Sequence, residues 1–189
     1  IQQWVQTNLA EIAWRLGKTQ VAEQHFLKAL ETKHRDNYLL RVYSDFLLSE
    51  HRPEEVLNLL KDKSSDDALL LRLALASQQA QQAEQTQIYQ EQLKARYAAA
   101  RLRKSSLHRR DEALYLLSFE NANPQALVLA KANWAEQKEA EDTALLLRAA
   151  LANQDLTTAR EVQAWLQQTK QQDARFQSYL AQIPVEQAS

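Results

Sequence analysis

The residues best suited to chemistry in this chain are few, and their spacing argues against a catalytic centre. The four histidines are His25, His34, His51 and His108. No two are three or four apart, the separation that lets a helix present two ligands on one face. His25 sits at the edge of an apolar stripe and reads as a surface or interface histidine. The single glycine, Gly17, leaves no loop able to bring several backbone N–H groups onto a phosphate. With no cysteine there is no thiolate nucleophile, disulfide or cysteine-ligated metal. Glu139, Glu141 and Asp142 invite a paired-carboxylate reading, since two carboxyl groups can share acid and base roles. They precede an apolar helical pattern, where acidic side chains ordinarily stabilise the helix start, and successive helical residues diverge by about 100°. His34 with Asp36, and Glu54 with Glu55, also fall at loops and first turns. The expectation is therefore no catalytic residue, no metal site and no cofactor.

The densest charged feature is basic: Lys94, Arg96, Arg101, Arg103 and Lys104, then His108, Arg109 and Arg110. On a continuous helix Lys94, Arg101 and Lys104 share a side, with Tyr97 between them. Such a patch could neutralise phosphates or hold an acidic protein. Asp111 and Glu112 follow at once and Glu84 and Glu91 precede, so intramolecular ion pairs and a solvated face are the favoured reading. The formal net charge is -1, which gives no global pull toward nucleic acid or anionic lipid.

These side chains must be carried by helices. The chain has 189 residues, with 45% hydrophobic and 25% charged side chains, ordinary for a globular protein. Three prolines and abundant Ala, Leu and Gln favour an almost wholly helical fold. No apolar run is long enough to span a bilayer. Helical periodicity predicts helices over 2–16, 19–30, 37–49, 53–60, 66–77, 82–104, 107–119, 124–137, 139–152, 156–168 and 172–183. Pro53 and Pro124 suit first turns, Ser64 or Ser65 and Ser105 or Ser106 are candidate N-caps, and Gly17 suits a left-handed helix end.

A period joins these elements. Ala22 and Val56 lie 34 residues apart, and Ala126 and Ala159 lie 33 apart. In the first unit Leu9, Ala10, Leu16-Gly17, Ala22, Phe26 and Ala29 occupy positions at which the chain resembles tetratricopeptide repeats. The second unit keeps Tyr43, Val56 and Leu60 and has His51 at the turn glycine; later units have Asn121 and Gln154 there. The resemblance implies an all-α superhelix of about five helix-turn-helix pairs in one domain over 1–189. Regular pairs cover 2–63 and 107–169, an irregular middle pair 66–104, and a capping helix 172–183.

The resemblance also implies a function. In this family the first helix of each pair lines a concave groove that holds a protein or peptide partner. Carried over, the groove residues are Trp4, Thr7, Glu11, Trp14, Tyr38, Arg41, Asp45 and Leu48, with Asp111, Tyr115 and Arg148 from later units. Exposed aromatics beside Arg are good anchors for a partner, although Trp4 and Trp14 could equally pack between helices. The family's chaperone-binding clamp is not expected, because Thr7, Glu11 and Val42 stand where it needs Lys and Asn. A non-catalytic, partner-binding scaffold is the leading expectation. Alternatives are an architectural or self-associating segment of a larger bacterial envelope or secretion protein, a weak nucleic-acid binder acting through 94–110, and, for the fold, a plain helical bundle. Homo-oligomerisation stays open. The start at Ile1 and the lack of cysteine lean slightly toward a periplasmic or exported protein over a cytoplasmic one.

Overall fold

The computed structural model describes residues 1–33, 35–103 and 108–185. Among these the chain is all-α and contains no strand. The helices are α1 (Gln2–Arg15), α2 (Thr19–Leu30), α3 (Asn37–Ser49), α4 (Pro53–Leu59), α5 (Asp67–Gln79), α6 (Ala83–Leu102), α7 (Arg109–Tyr115), α8 (Asn123–Glu136), α9 (Ala140–Ala152), α10 (Leu156–Thr169) and α11 (Gln177–Leu180). Contacts divide the chain into two compact units, Ile1–Trp14 with Lys18–Ser106, and Leu107–Ser189 with Arg15–Gly17.

The turns inside the helix pairs repeat one conformation. Gly17 has φ of 70°, and His51, Gln81, Asn121 and Gln154 have φ of 57°, 58°, 51° and 56°. Each is followed by one linking residue before the next helix begins. The linking N–H then reaches back across the helix end: Lys18 to the Ala13 carbonyl (2.8 Å), Arg52 to Leu47 (2.9 Å), Gln82 to Ser77 (2.9 Å) and Asp155 to Ala150 (2.9 Å). This is the Schellman closure, which satisfies carbonyls that the helix end leaves open. Only the first turn uses glycine. The others place a side chain in the left-handed region at a cost of roughly 1–2 kcal/mol each, so the surrounding packing must hold them there.

The turn at Asn121 differs in one respect. The helix expected over 107–119 runs as α7 and then widens into a π-helical segment, Leu116–Glu120. Consequently Ala122 N–H reaches Leu116, one residue further back (3.4 Å). Such single-turn π segments take up an extra residue within a helix.

The starts of α3, α5 and α10 carry acidic caps. Asp36 accepts from Leu39 N–H (2.8 Å), Asp66 from Leu69 N–H (3.0 Å) and Asp155 from Thr158 N–H (3.0 Å). The cap of α5 is thus Asp66 and not Ser64 or Ser65. Ser105, Ser106 and Lys104 lie outside the described residues. The helix expected over 172–183 is mostly absent. A 3-10 turn, Ala174–Phe176, leads into the single turn α11. Asp173 accepts from Arg175 N–H (2.9 Å) and pairs with the Arg175 guanidinium (2.6 Å), a local bonding pattern that competes with helix. The short segment still packs on α9 and buries Phe176.

In the first unit α3 packs on α2, α4 and α5, so it meets both its own partner and the next first helix. The core is aromatic at its centre. Phe26 lies 5.1 Å from the Tyr43 ring and 5.2 Å from the Phe46 ring, and Trp14 meets Phe46 edge-on at 5.6 Å. Buried Ala10, Ala13, Ala22 and Ala29 let the backbones approach these rings. The second unit repeats the scheme: α7 packs on α8 and α9, and α9 packs on α8 and α10. Its core holds Leu145, Leu146, Leu147, Ala149, Ala150, Val162 and Leu166. Trp134 and Trp165 meet edge-on at 5.2 Å.

Candidate functional site

The expected groove residues Glu11, Tyr38, Arg41 and Asp45 come together in the first unit as one polar chain across α1, α3 and α5. The Tyr38 hydroxyl donates to Glu11 Oε2 (2.8 Å). The Arg41 guanidinium lies over the Tyr38 ring, 5.2 Å from its centroid, a cation–π arrangement. One turn on, Arg41 Nη1 is 3.5 Å from Asp45 Oδ2. Asp45 in turn accepts two bonds from Arg72 of α5, from Nε (2.8 Å) and from Nη2 (3.0 Å). Arg72 Nη1 also donates to the Ala68 carbonyl (3.2 Å). Arg41, Asp45 and Arg72 alternate in sign, so each of these three charges has an opposite neighbour.

Exposure divides this chain into a foundation and a rim. Arg72 is only 2% exposed and Glu11 is buried. A bidentate carboxylate is what allows a guanidinium to lie that deep. Tyr38 remains 45% exposed and Trp4, two turns before Glu11 on the same helix face, is 65% exposed. The rim therefore offers two aromatic side chains, one of them fixed by a hydrogen bond to Glu11 and a cation on its face. Trp14, by contrast, is buried against Phe46 and Thr7 is buried. Burial removes both from the set that can touch a partner.

The expected residues of the second unit are placed differently. Tyr115 is buried, and its hydroxyl donates to Glu120 Oε1 (2.8 Å). Burial, then the Glu120 bond and charge, push its pKa up. Arg148 Nη2 donates to Ser118 Oγ (3.2 Å).

The dominant polar feature of the second unit is a cluster around Arg110. Its guanidinium pairs with Asp142 (2.5 Å), Glu139 (2.8 Å) and Glu141 (3.4 Å). Asp142, itself buried, also accepts from Asn133 Nδ2 (2.6 Å) and from Glu139 N–H (3.0 Å). Burial works against the Arg110 charge, yet the bond to Asp142 and the neighbouring Glu139 and Glu141 hold its pKa above the usual arginine range. Glu139 and Asp142 complete a capping box for α9. Two of these carboxylates thus cap α9, and all three pair with one arginine.

Three residues of the basic run pair with acidic partners. Besides Arg110, Arg96 donates to Asp67 (2.7 Å) and to the Ser64 carbonyl (2.9 Å), and Arg109 pairs with Glu136. Lys94 and Arg101 are exposed on α6, while Tyr97 between them turns into the core. Lys104 lies outside the described residues. His25 bonds to Gln6 through Nδ1 (2.7 Å). Among the described residues no cluster of three metal-ligating side chains is placed to hold an ion. No helix among them is long and apolar enough to cross a membrane.

Sequence reasoning missed Arg72, which lies within the apolar run at 69–76. A lone arginine inside LLLRLALA was itself the signal, since a charge in a buried stretch needs a partner from another helix. No protein-family model, curated protein or solved structure matches this chain.

Proposed function

We propose that the chain is a tetratricopeptide-like repeat scaffold without catalytic activity, binding a protein or peptide on the face formed by its first helices. The observation that carries the reading is the rim of exposed Trp4 and Tyr38 on a fixed base. Tyr38 is held by Glu11 and by Arg41, and Arg41 and Asp45 lead down to buried Arg72. An aromatic side chain already held in place loses little entropy when a partner covers it, which is how such residues become binding hot spots. Support for the repeat architecture comes from five left-handed turns, four of them closed by the same hydrogen bond, and from first-helix packing, α3 on α5 and α7 on α9.

The test is selection of binders from a displayed random peptide library on the purified chain. Trp4→Ala and Tyr38→Ala should each weaken the selected binders by about 30-fold, a loss of roughly 2 kcal/mol, with thermal stability little changed. Tyr38→Phe should lose less, since it keeps the ring beneath Arg41. Binders indifferent to both alanine variants would refute the assignment.

The nucleic-acid reading gains less. Arg96, Arg109 and Arg110 are each committed to carboxylates of the same chain.

A further inference from the structure

In the first unit Arg52 pairs with Glu23 and Glu55, Arg72 with Asp45, and Arg96 with Asp67. One cleft of the same unit departs from that matching of charge. The loop between α2 and α3 brings Lys33, Arg35 and Asp36 to it, and the segment after α4 brings Lys63. Leu40 and the half-buried Leu59 supply an apolar wall, and Gln3 of α1 closes the lining. Its volume is about 620 Å³, within the range of about 300–1,000 Å³ common for small-molecule sites.

Three of the lining side chains are cationic and one is anionic. The anionic one, Asp36, already serves as the cap of α3, its Oδ1 accepting from Leu39 N–H (2.8 Å). Lys33 and Lys63 make no ion pair among the described residues. Arg35 donates through Nε to the Leu30 carbonyl (2.9 Å), a bond that fixes the guanidinium and leaves its two Nη groups for another acceptor. Gln3 adds a neutral donor. Its Oε1 accepts from the Thr32 hydroxyl (3.0 Å), whereas its Nε2 is buried without a partner, and a buried donor without an acceptor is costly. Like charges gathered without carboxylates repel one another, and an anion between them removes that repulsion.

We infer that this cleft is a binding site for a small phosphate monoester, with the phosphoryl group among Lys33, Arg35 and Lys63 and the organic group against Leu40 and Leu59. A dianion matches the excess of two positive charges in the lining, and the paired Nη donors of arginine suit two oxygens of one phosphoryl group. The cleft is lined by neither Trp4 nor Tyr38, so this site and the partner-binding rim stand or fall separately.

The experiment is calorimetric titration of the 189-residue chain with phenyl phosphate at low ionic strength and pH 7.5. One site is expected, with a Kd of about 1 mM or tighter, and inorganic phosphate should bind more weakly because it lacks the apolar group. Lys33→Gln/Lys63→Gln should weaken phenyl phosphate by about tenfold. Both lysines are exposed, so that variant should melt no lower than the original chain. Lys170→Gln, at an exposed position of the second unit, should leave the titration unchanged. Lowering the pH to 5 should weaken binding, since a phosphate monoester takes up its second proton near pH 6. No binding, or equal losses in the double variant and in Lys170→Gln, would overturn the proposal. A phosphoserine peptide that binds through the same lysines more tightly than phenyl phosphate would also overturn it, making a phosphorylated protein the occupant.

Discussion

Asp45→Ala isolates the foundation of the proposed binding face. The substitution removes both bonds to Arg72, at 2.8 and 3.0 Å, and the ion pair to Arg41 at 3.5 Å. Arg72 stays in place at 2% exposure, held by the Ala68 carbonyl but without its carboxylate. Breaking one side of a buried pair costs about 3–5 kcal/mol, because the surviving charge stays desolvated. The Asp45 side chain is 20% exposed, so water reaches that end of the pair and the lower figure, about 3 kcal/mol, is expected. For a chain of this length that corresponds to a fall of about 6–12 °C in melting temperature.

The double variant Asp45→Ala/Arg72→Met removes both charges and fills the arginine's volume with an apolar side chain. It should recover most of the loss, since replacing a whole buried pair is often neutral. Urea unfolding followed by far-ultraviolet circular dichroism reads both variants. A single variant costing under about 1 kcal/mol, or a double no better than the single, would refute the claim that Asp45 is what permits Arg72 to lie buried.

Trp14→Ala, which empties the site against Phe46, should cost about 3–5 kcal/mol in the same denaturation assay, unlike Trp4→Ala on the rim. His51→Gly and Gln154→Gly should each stabilise by about 1 kcal/mol, because the left-handed turn then carries no side-chain penalty; Asn121→Gly should gain less, asparagine being more tolerant of that conformation. Asp155, capping Thr158 and bonded to Lys131 at 2.8 Å, has its pKa lowered to about 2 by those bonds, Lys131 first, from an ordinary value of 3.8. Its contribution is therefore fully present above pH 3.8 and lost as pH falls through about 2; Asp155→Ala should remove that acid dependence and cost about 1 kcal/mol at neutral pH.

Helix positions were legible wherever a strong stripe met a clear boundary. The 37–49 helix is an example: Leu40, Tyr43, Phe46 and Leu47 mark one face, and Asp36 caps it. The terminal 172–183 segment was not legible, because its periodicity says nothing of the Asp173–Arg175 bonding that interrupts it. The period placed His51, Asn121 and Gln154 at the turn but not Gln81, and the left-handed conformation they share was hidden for a related reason. His51, Gln81 and Gln154 carry no sequence mark of a left-handed backbone, and only packing keeps them there. For the candidate site, Glu11, Tyr38, Arg41 and Asp45, named from the repeat resemblance, contact one another in the structure. Periodicity could not tell which aromatic on a face points outward. Trp4 and Trp14 share a pattern, yet the first is exposed and the second is in the core.

The most direct test of the scaffold reading is a hydrogen-exchange footprint of a selected peptide binder on the chain. Binding at the rim should slow exchange in α1 and α3 around Trp4, Glu11, Tyr38 and Arg41, and leave α2 and α4 unchanged. Protection confined to α2 and α4, or to the basic end of α6, would contradict it.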